Sequence, residues 1–381
     1  DNVLAEQSFQ SLFPDTAYGF DSGGNPKQIP YLTFEQFVAF HQKHYHPSNS
    51  RIYFYGDDDP ERRLKRLNDC LMDFDPIEID STIRLQTPFK RPKRVVHPFM
   101  VGNEEGIRAK GMVTVNWLLT ETLDPETSFS FRMLEYILLG MPASPLRKAL
   151  IDSGFGDDIA GEGLGTELRQ LYFSTGLKGI EVSNVAQIET LIIETLENLV
   201  QQGIDPLTVE AAVNTIEFHL RENNTGHFPR GLSLLLRALT TWLYDRDPFA
   251  LLAFEAPLEK VKSMLRSKDR LFEDMIHRFL VKNPHRTTLI LEPDPNLRRT
   301  EEADERDRLA KARSSRSDDQ LHDLMENTLE LKRLQETPDP PEALATIPIL
   351  KREDLDSKNK TIPLAHVDRE GTPLLLSLIH I

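Results

Sequence analysis

Apolar side chains near the start of the chain recur at the spacing of one helical face. In residues 33–41 they stand three or four positions apart, which predicts a helix. Thr33 followed by Gln36 is the pattern of a capping box at the start of this helix. Residues 51–55 are instead β-branched and aromatic, which favours a strand. A second amphipathic helix is predicted from Pro60 onwards.

The middle of the chain alternates between short apolar runs and longer amphipathic stretches. The short runs predict strands at residues 111–119, 171–180 and 285–292. The longer stretches predict helices at residues 129–139, 144–150, 184–202, 205–222, 232–244 and 257–281. This order of elements predicts a layered α+β domain with helices on one face of a sheet.

Two segments of this region lack such a pattern. Residues 76–108 are turn-rich and basic in places, so we expect a linker into a new unit. Residues 154–165 are rich in glycine but do not give the glycine spacing of a dinucleotide-binding turn before a helix. We therefore predict a loop that packs closely against a sheet, with a nucleotide site as the weaker alternative.

Residues 293–345 differ in composition from the rest of the chain. Charged residues dominate residues 294–313, and leucines recur through residues 318–335. The pattern predicts two amphipathic helices joined near Ser314 and Ser315. We favour a solvated helical hairpin that links two domains, and a partner-binding coiled coil is the alternative.

Composition narrows the class of protein. The chain has 381 residues, which favours two or three domains, and a formal net charge of −15. Such an acidic balance argues against a nucleic-acid partner. No run of eighteen apolar residues occurs, so no membrane-spanning helix is expected. The single cysteine, Cys70, excludes an internal disulfide.

Three histidines close together raise the question of a metal site. His41, His44 and His46 lie within six residues, and carboxylates follow at residues 57–59. None of the eleven histidines belongs to a His-Glu-x-x-His pattern or its inversion, however. A strand of five residues spans roughly 17 Å, so it would hold these carboxylates away from the histidines. We favour structural roles for the three histidines, with a metal site as the weaker alternative.

Two further features could carry chemistry. Cys70 stands among leucines of a predicted helix, so we expect a buried and inert thiol. The polar stretch 217–231 joins two predicted helices with more charged and amide groups than a plain connection needs. Helix capping and a buried polar network are the favoured interpretation, and a substrate-facing wall is the alternative. Its candidate residues are Arg221, Asn223, Asn224 and Arg230.

Several longer blocks of sequence resemble one enzyme family. The first group comprises Asp21-Ser22-Gly23-Gly24-Asn25-Pro26, Leu32-Thr33-Phe34-Glu35 and Tyr45-His46-Pro47-Ser48-Asn49. The second comprises Ser144-Pro145-Leu146-Arg147, Arg221-Glu222-Asn223-Asn224-Thr225-Gly226 and Thr337-Pro338-Asp339-Pro340-Pro341. Together they resemble the presequence proteases of the pitrilysin/insulin-degrading-enzyme superfamily, and most closely the plant and algal organelle forms. The resemblance covers about residues 8–372.

The resemblance implies a fold and an activity for a longer parent protein. Such enzymes are zinc metalloendopeptidases built from repeated α+β domains, each an antiparallel-rich mixed sheet with helices on one face. A helical hairpin joins their two halves around a chamber. They degrade cleaved targeting peptides and other short unstructured peptides. The family's zinc motif, His-x-x-Glu-His, has no counterpart in this sequence, so no catalytic or metal-binding residue can be assigned here.

The resemblance also implies a division of the chain. Residues 1–75 would end a first, catalytic-type domain, residues 76–292 would form a second, and residues 293–345 the hairpin linker. Residues 346–375 would begin a third domain. Residues 376–381 match the translation of a common sequencing adapter, so we expect an artefact there. We expect an internal fragment, with residues 1–75 poorly supported on their own.

What the whole protein does follows from the same resemblance. We expect zinc in the parent protein and none bound by this fragment, which alone would be an inactive chamber wall and hinge. The expected partners are short peptides, with no nucleic acid and no membrane, and the parent would be a monomer. The expected location is the mitochondrial matrix or the chloroplast stroma. The alternative is a non-catalytic scaffold homologue of the same superfamily.

Overall fold

The structure is a computed structural model that describes residues 2–102, 107–267, 269–355, 364–369 and 372–377. The chain divides into two compact units, Asp1–Pro295 and Asn296–Ile381. The domain boundaries expected from the sequence at residues 76, 293 and 346 remain predictions.

A mixed sheet of five strands organises the first unit. In chain order the strands are β1 (Lys93–Met100), β2 (Gly111–Glu121), β3 (Asp158–Gly165), β4 (Gln170–Ile180) and β5 (Arg286–Asp294). Their order across the sheet is β1-β5-β2-β4-β3. Strand β1 runs parallel to β5, and the other neighbours are antiparallel. This sheet and its helices confirm the α+β class.

Ten α-helices accompany this sheet in the described part of the first unit. They are α1 (Asn2–Leu12), α2 (Phe34–His44), α3 (Pro60–Leu71), α4 (Pro125–Glu135), α5 (Pro145–Asp152), α6 (Val185–Gln202), α7 (Pro206–Glu222), α8 (Arg230–Trp242), α9 (Glu255–Arg266) and α10 (Leu271–Ile276). A π-helical turn follows α4 at Tyr136–Gly140, and another follows α10 at His277–Val281. The predicted helix 257–281 is therefore two helices.

Local signals account for several of these helix ends. Thr33 and Gln36 form the predicted capping box of α2. Asp205 accepts the N–H of Leu207 at the start of α7, with a proline in the first turn. Gly203, at φ +87°, ends α6 in a region that glycine adopts without steric cost.

The main core fills one face of the sheet. Trp117 of β2 and Phe173 of β4 are buried there beneath helices α4 to α7, α9 and α10. The indole Nε1 of Trp117 donates to the backbone oxygen of Leu280 at 2.9 Å. A buried indole N–H that finds an acceptor avoids a desolvation cost of about 1–3 kcal/mol. The helical layer and the sheet are thus joined by both apolar packing and a hydrogen bond.

Helix α1, which the sequence analysis did not predict, covers part of the opposite face. Leu4 packs there with Leu289 and Leu291, whose side chains point away from the main core. Two hydroxyl pairs complete the contact. Ser8 Oγ lies 3.1 Å from Thr114 Oγ1, and Ser11 Oγ lies 2.8 Å from Thr287 Oγ1. Helix α1 is therefore bound to the sheet by polar as well as apolar contacts.

Three predictions about strands were wrong. Residues 51–55 pair with no strand of the described chain, and an apolar, β-branched segment cannot form a ladder without a partner. The expected linker 76–108 contains edge strand β1, which tolerates Pro98 at an edge. The expected glycine-rich loop 154–165 contains edge strand β3, whose register shifts between Ala160 and Gly163.

Support for residues 1–75 is uneven. Leu12 and Phe13 are buried against the sheet, so the expectation of poor support is wrong for α1. Helices α2 and α3 have no buried residue, and the side chain of Phe34 is 75% exposed. The expectation therefore holds for this second segment.

The second unit contains the two charged helices. They are α11 (Leu297–Ser314) and α12 (Asp318–Glu336), with a short α13 (Pro341–Leu344) after them. The break between them is close to the predicted one, and Ser317 forms a capping box with Gln320 at the start of α12. Strands β6 (Leu364–Arg369) and β7 (Thr372–Ser377) pair antiparallel. Of the suspected artefact, residues 376 and 377 end β7, and residues 378–381 lie outside the described chain.

Candidate functional site

The polar stretch singled out in the sequence forms the turn between α7 and α8. Asn223 ends α7 in the left-handed conformation, at φ 46° and ψ 41°, and its N–H bonds to the oxygen of His219. Asparagine adopts this conformation more readily than most residues with a side chain. Asn224 Oδ1 then accepts the N–H of Gly226 at 2.9 Å. Capping and turn formation therefore account for both amides.

A charged cluster joins α7 to α9 beside this turn. Arg221 donates through Nε and Nη2 to one oxygen of Glu217, at 2.9 and 2.8 Å, and Lys262 of α9 binds the other oxygen. These bonds, that of Lys262 foremost, hold the pKa of Glu217 below its usual range. The cluster fixes the spacing of the two helices by charge rather than by apolar packing.

Asn223 also reaches the neighbouring helix. Its Oδ1 accepts a hydrogen bond from Nη2 of Arg237 in α8 at 3.2 Å. Arg230 begins α8 and is exposed. The four predicted residues thus share one segment but not one site, because Arg221 faces Glu217 while Asn223 faces Arg237. Their role as a chamber lining stays a prediction.

A cavity of about 360 Å³ lies next to this segment. Its walls come from α4, α7, α8 and residues 250–257, and its charged residues are Arg132, Glu135 and Arg237. Loss of water around Arg132 lowers its pKa, and the charge of Arg237 lowers it further. Burial raises the pKa of Glu135, which Arg132 partly offsets. The sequence analysis missed all three, although charged residues within the apolar helix 129–139 were a visible signal.

The three clustered histidines make local contacts. His41 stacks on Tyr45 with ring centroids 4.8 Å apart, and His44 lies against Phe40 at 4.6 Å. Nδ1 of His46 accepts the N–H of Ser48 at 3.1 Å, as a cap of the following turn. These contacts match the structural roles favoured from the sequence.

No metal centre forms from the residues that the structure describes. Among them, no three histidine, cysteine, aspartate or glutamate side chains come together as a possible metal site. Asp58, one of the nearby carboxylates, instead binds the guanidinium of Arg63. Because zinc in hydrolases takes three protein ligands and a water, the described residues do not fit it.

Two other expectations can be compared with the structure. Cys70 is exposed, so the prediction of a buried thiol was wrong. The leucines around it suggested burial, but α3 buries no residue. Among the described helices, none is long and apolar enough to cross a bilayer.

One buried histidine was missed entirely. His285, just before β5, is only 2% exposed. Its Nδ1 accepts the N–H of Phe89 at 3.1 Å, and its Nε2 lies 2.9 Å from the oxygen of Leu12. Burial lowers its pKa to about 4. A lone histidine before a strand carries no sequence signal for such a role, which depends on residues distant in the chain.

Two family models match the chain. Residues 31–216 match the peptidase M16 inactive domain, and residues 291–379 match the associated domain of subfamily C of the M16 peptidases. Among solved structures, a putative M16-like peptidase from Alicyclobacillus acidocaldarius superposes with a TM-score of 0.52 at 16% identity, over 76% of this chain and 65% of that one. A peptidase M16 inactive domain from Pseudomonas fluorescens gives 0.53 at 14% identity, over 77% and 65%. At these identities the likeness concerns the fold alone.

Curated relatives match nearly the whole chain. Presequence protease 1, chloroplastic/mitochondrial, from Arabidopsis thaliana is 44% identical over 98% of this chain and 35% of its own length. Protein HypA from Clostridium perfringens is 36% identical over 98% of this chain and 38% of its length. The mitochondrial presequence protease of Xenopus laevis is 30% identical over 97% and 35%. The chain therefore spans a little over a third of the length of these relatives.

Proposed function

Because this chain belongs to the peptidase M16 family, in its presequence-protease branch, we propose that it is a non-catalytic part of a zinc metalloendopeptidase. The parent enzyme would degrade cleaved targeting peptides and other short unstructured peptides. The observation that carries this proposal is the 44% identity to a plant presequence protease over 98% of the chain.

The part played by this chain would be that of a wall and a hinge. Residues 31–216 match a domain whose description is inactive, and the described side chains form no group of metal ligands. In this proposal zinc, which activates water for peptide hydrolysis, is held elsewhere in the parent protein. This chain's own contribution would be to enclose the peptide and exclude bulk water.

Charge favours a class of peptide. The formal net charge of −15 would attract basic segments, and targeting peptides of organelles are rich in arginine. In this proposal peptide affinity in the parent enzyme falls as salt rises. Unchanged affinity between low and high ionic strength would remove this part of the proposal.

The location and the partners follow from the relatives' names. Presequence proteases of plants and animals are named chloroplastic or mitochondrial, which supports an organellar location for the parent protein. Its partners would be short peptides, and we propose a monomer.

The test compares this chain with the longer protein. The purified 381-residue chain, supplied with zinc, is incubated with a fluorogenic targeting peptide, with and without a chelator. We expect no chelator-sensitive cleavage by the chain and clear cleavage by the longer protein. Chelator-sensitive cleavage by the chain alone would overturn the non-catalytic role. A longer protein without activity would favour the scaffold alternative.

A further inference from the structure

The cavity between α4, α7 and α8 has an unbalanced set of charges. Arg132 and Arg237 both line it, and the effect of Arg237 on the pKa of Arg132 places the two cations within electrostatic reach of each other. Glu135 is the third charged residue in the lining. In the described part of the chain it forms no ion pair with either arginine. The cavity therefore contains two like charges that a bound anion would stabilise.

The hydrogen-bond donors available in this cavity belong mainly to the arginines. Three hydroxyl groups in the lining already donate to backbone oxygens: Thr122 to Leu168, Ser128 to Thr122 and Thr240 to Leu236. Arg237 uses one Nη2 hydrogen on Asn223, and Arg132 makes no side-chain hydrogen bond within the described chain. Two guanidinium groups with spare donors are suited to a group that only accepts, such as a carboxylate.

The rest of the lining sets the shape of the ligand. Leu220, Leu251 and Phe254 are among the apolar side chains of the wall. A cavity of about 360 Å³ lies at the lower end of the range for small-molecule sites, which is roughly 300–1,000 Å³. Such a space suits an apolar body of one or two residues next to the charged group.

We propose that this cavity binds an organic carboxylate with an apolar body, held between Arg132 and Arg237. The chemistry fits the free C-terminus of a short apolar peptide, and it also fits a fatty acid. Asn223 acts as a positioning residue, because its side chain holds Arg237 at the cavity. Glu135 opposes the ligand by its negative charge.

The first experiment needs no substitution. Binding of N-acetyl-Leu-Phe to the unaltered 381-residue chain is measured by calorimetry, beside its C-terminal amide and octanoate. We expect the acid to bind at least roughly tenfold more tightly than the amide, which is the size of one charge-assisted hydrogen bond. Tighter binding of the peptide acid than of octanoate assigns the site to peptide C-termini, and the reverse order assigns it to fatty acids. Equal affinity of acid and amide, or no binding of either acid, would overturn the proposal.

Four variants locate the site. Arg132→Gln and Arg237→Gln should each weaken binding of the carboxylate roughly tenfold. Glu135→Gln should strengthen it, because it removes the opposing charge. Arg246→Gln, at an exposed arginine outside the cavity, is the matched control and should leave affinity unchanged. Circular dichroism checks that each variant is folded. If all three arginine variants behave alike, the carboxylate binds elsewhere and the proposal fails.

Discussion

The side chain of His285 connects two segments that are far apart in the chain: its Nε2 lies 2.9 Å from the backbone oxygen of Leu12, at the end of α1. Because its Nδ1 accepts the N–H of Phe89, Nε2 carries the proton of a neutral ring and donates to Leu12. A protonated ring would direct an N–H at the N–H of Phe89. The arrangement therefore requires a neutral histidine.

This requirement makes stability depend on pH. The pKa of His285 is about 4 in the folded chain, below its ordinary value of 6.5. Since the unfolded chain binds the proton more readily, the stability that His285 contributes is complete above pH 6.5 and is lost as the pH falls towards 4. Within that window we expect a loss of up to about 1.4 kcal/mol per pH unit.

Urea unfolding of the chain and of His285→Gln between pH 7.5 and 5 measures this effect. The variant should be less stable at pH 7.5 by about 1–3 kcal/mol, and the difference should shrink as the pH falls. His227→Gln, at an exposed histidine, should follow the unaltered chain throughout. A difference that stays constant with pH would show that His285 does not titrate in this way.

Gly176 should be among the least replaceable glycines of the sheet. It stands where β4 passes β2, and a Cβ there would overlap the backbone oxygen of Val113. We expect Gly176→Ala to destabilise the first unit by about 3 kcal/mol or more, because strand backbones cannot move apart cheaply.

The control for this prediction is Gly154→Ala. Gly154 has φ +64° but open space where a Cβ would stand, so alanine should cost only the conformational term of about 1 kcal/mol. Thermal melts of both variants followed by circular dichroism give the comparison. Equal losses of stability would mean that close approach of the strands is not the cause at Gly176.

Asn223 combines a backbone role with a side-chain role, and two substitutions separate them. Asn223→Gly keeps the left-handed conformation but releases Arg237, so we expect little change in melting temperature and weaker binding of the carboxylate. Asn223→Ala should also destabilise α7, by about 1 kcal/mol. If Asn223→Gly binds the carboxylate as the unaltered chain does, Asn223 does not position Arg237.

Cys70 should react as an accessible thiol. It is the only cysteine of the chain and is exposed, so a single thiol equivalent should react with an aromatic disulfide reagent in the native protein. The rate should be close to that in denaturant. A thiol that reacts only after unfolding would instead restore the buried position predicted from the sequence.

Sequence reasoning identified the helices better than the strands. The start of α2 depends on Thr33 and Gln36, and the end of α6 on Gly203, so the information lies within a few residues. Strand β1 and the irregular residues 51–55 differ in whether a partner strand is present, and a partner is not a local property. Pattern alone could not separate the two.

The same limit applied to the candidate site. The turn around Asn223 was visible as an unusual run of polar residues, and the structure places it beside the cavity. Arg132 joins this region only because α4 packs near α7 and α8. Its electrostatic partner Arg237 stands on another helix, so the pair had no signature in the sequence.

The hydroxyl contacts of α1 have a consequence for the order of folding. Ser8 and Thr114 are separated by 106 positions, and Ser11 and Thr287 by 276. Closing loops of this length costs chain entropy before the contacts can compensate, so α1 should dock after β2 and β5 have paired. Until then Leu289 and Leu291 face water, which makes the undocked intermediate the species most prone to associate with other chains.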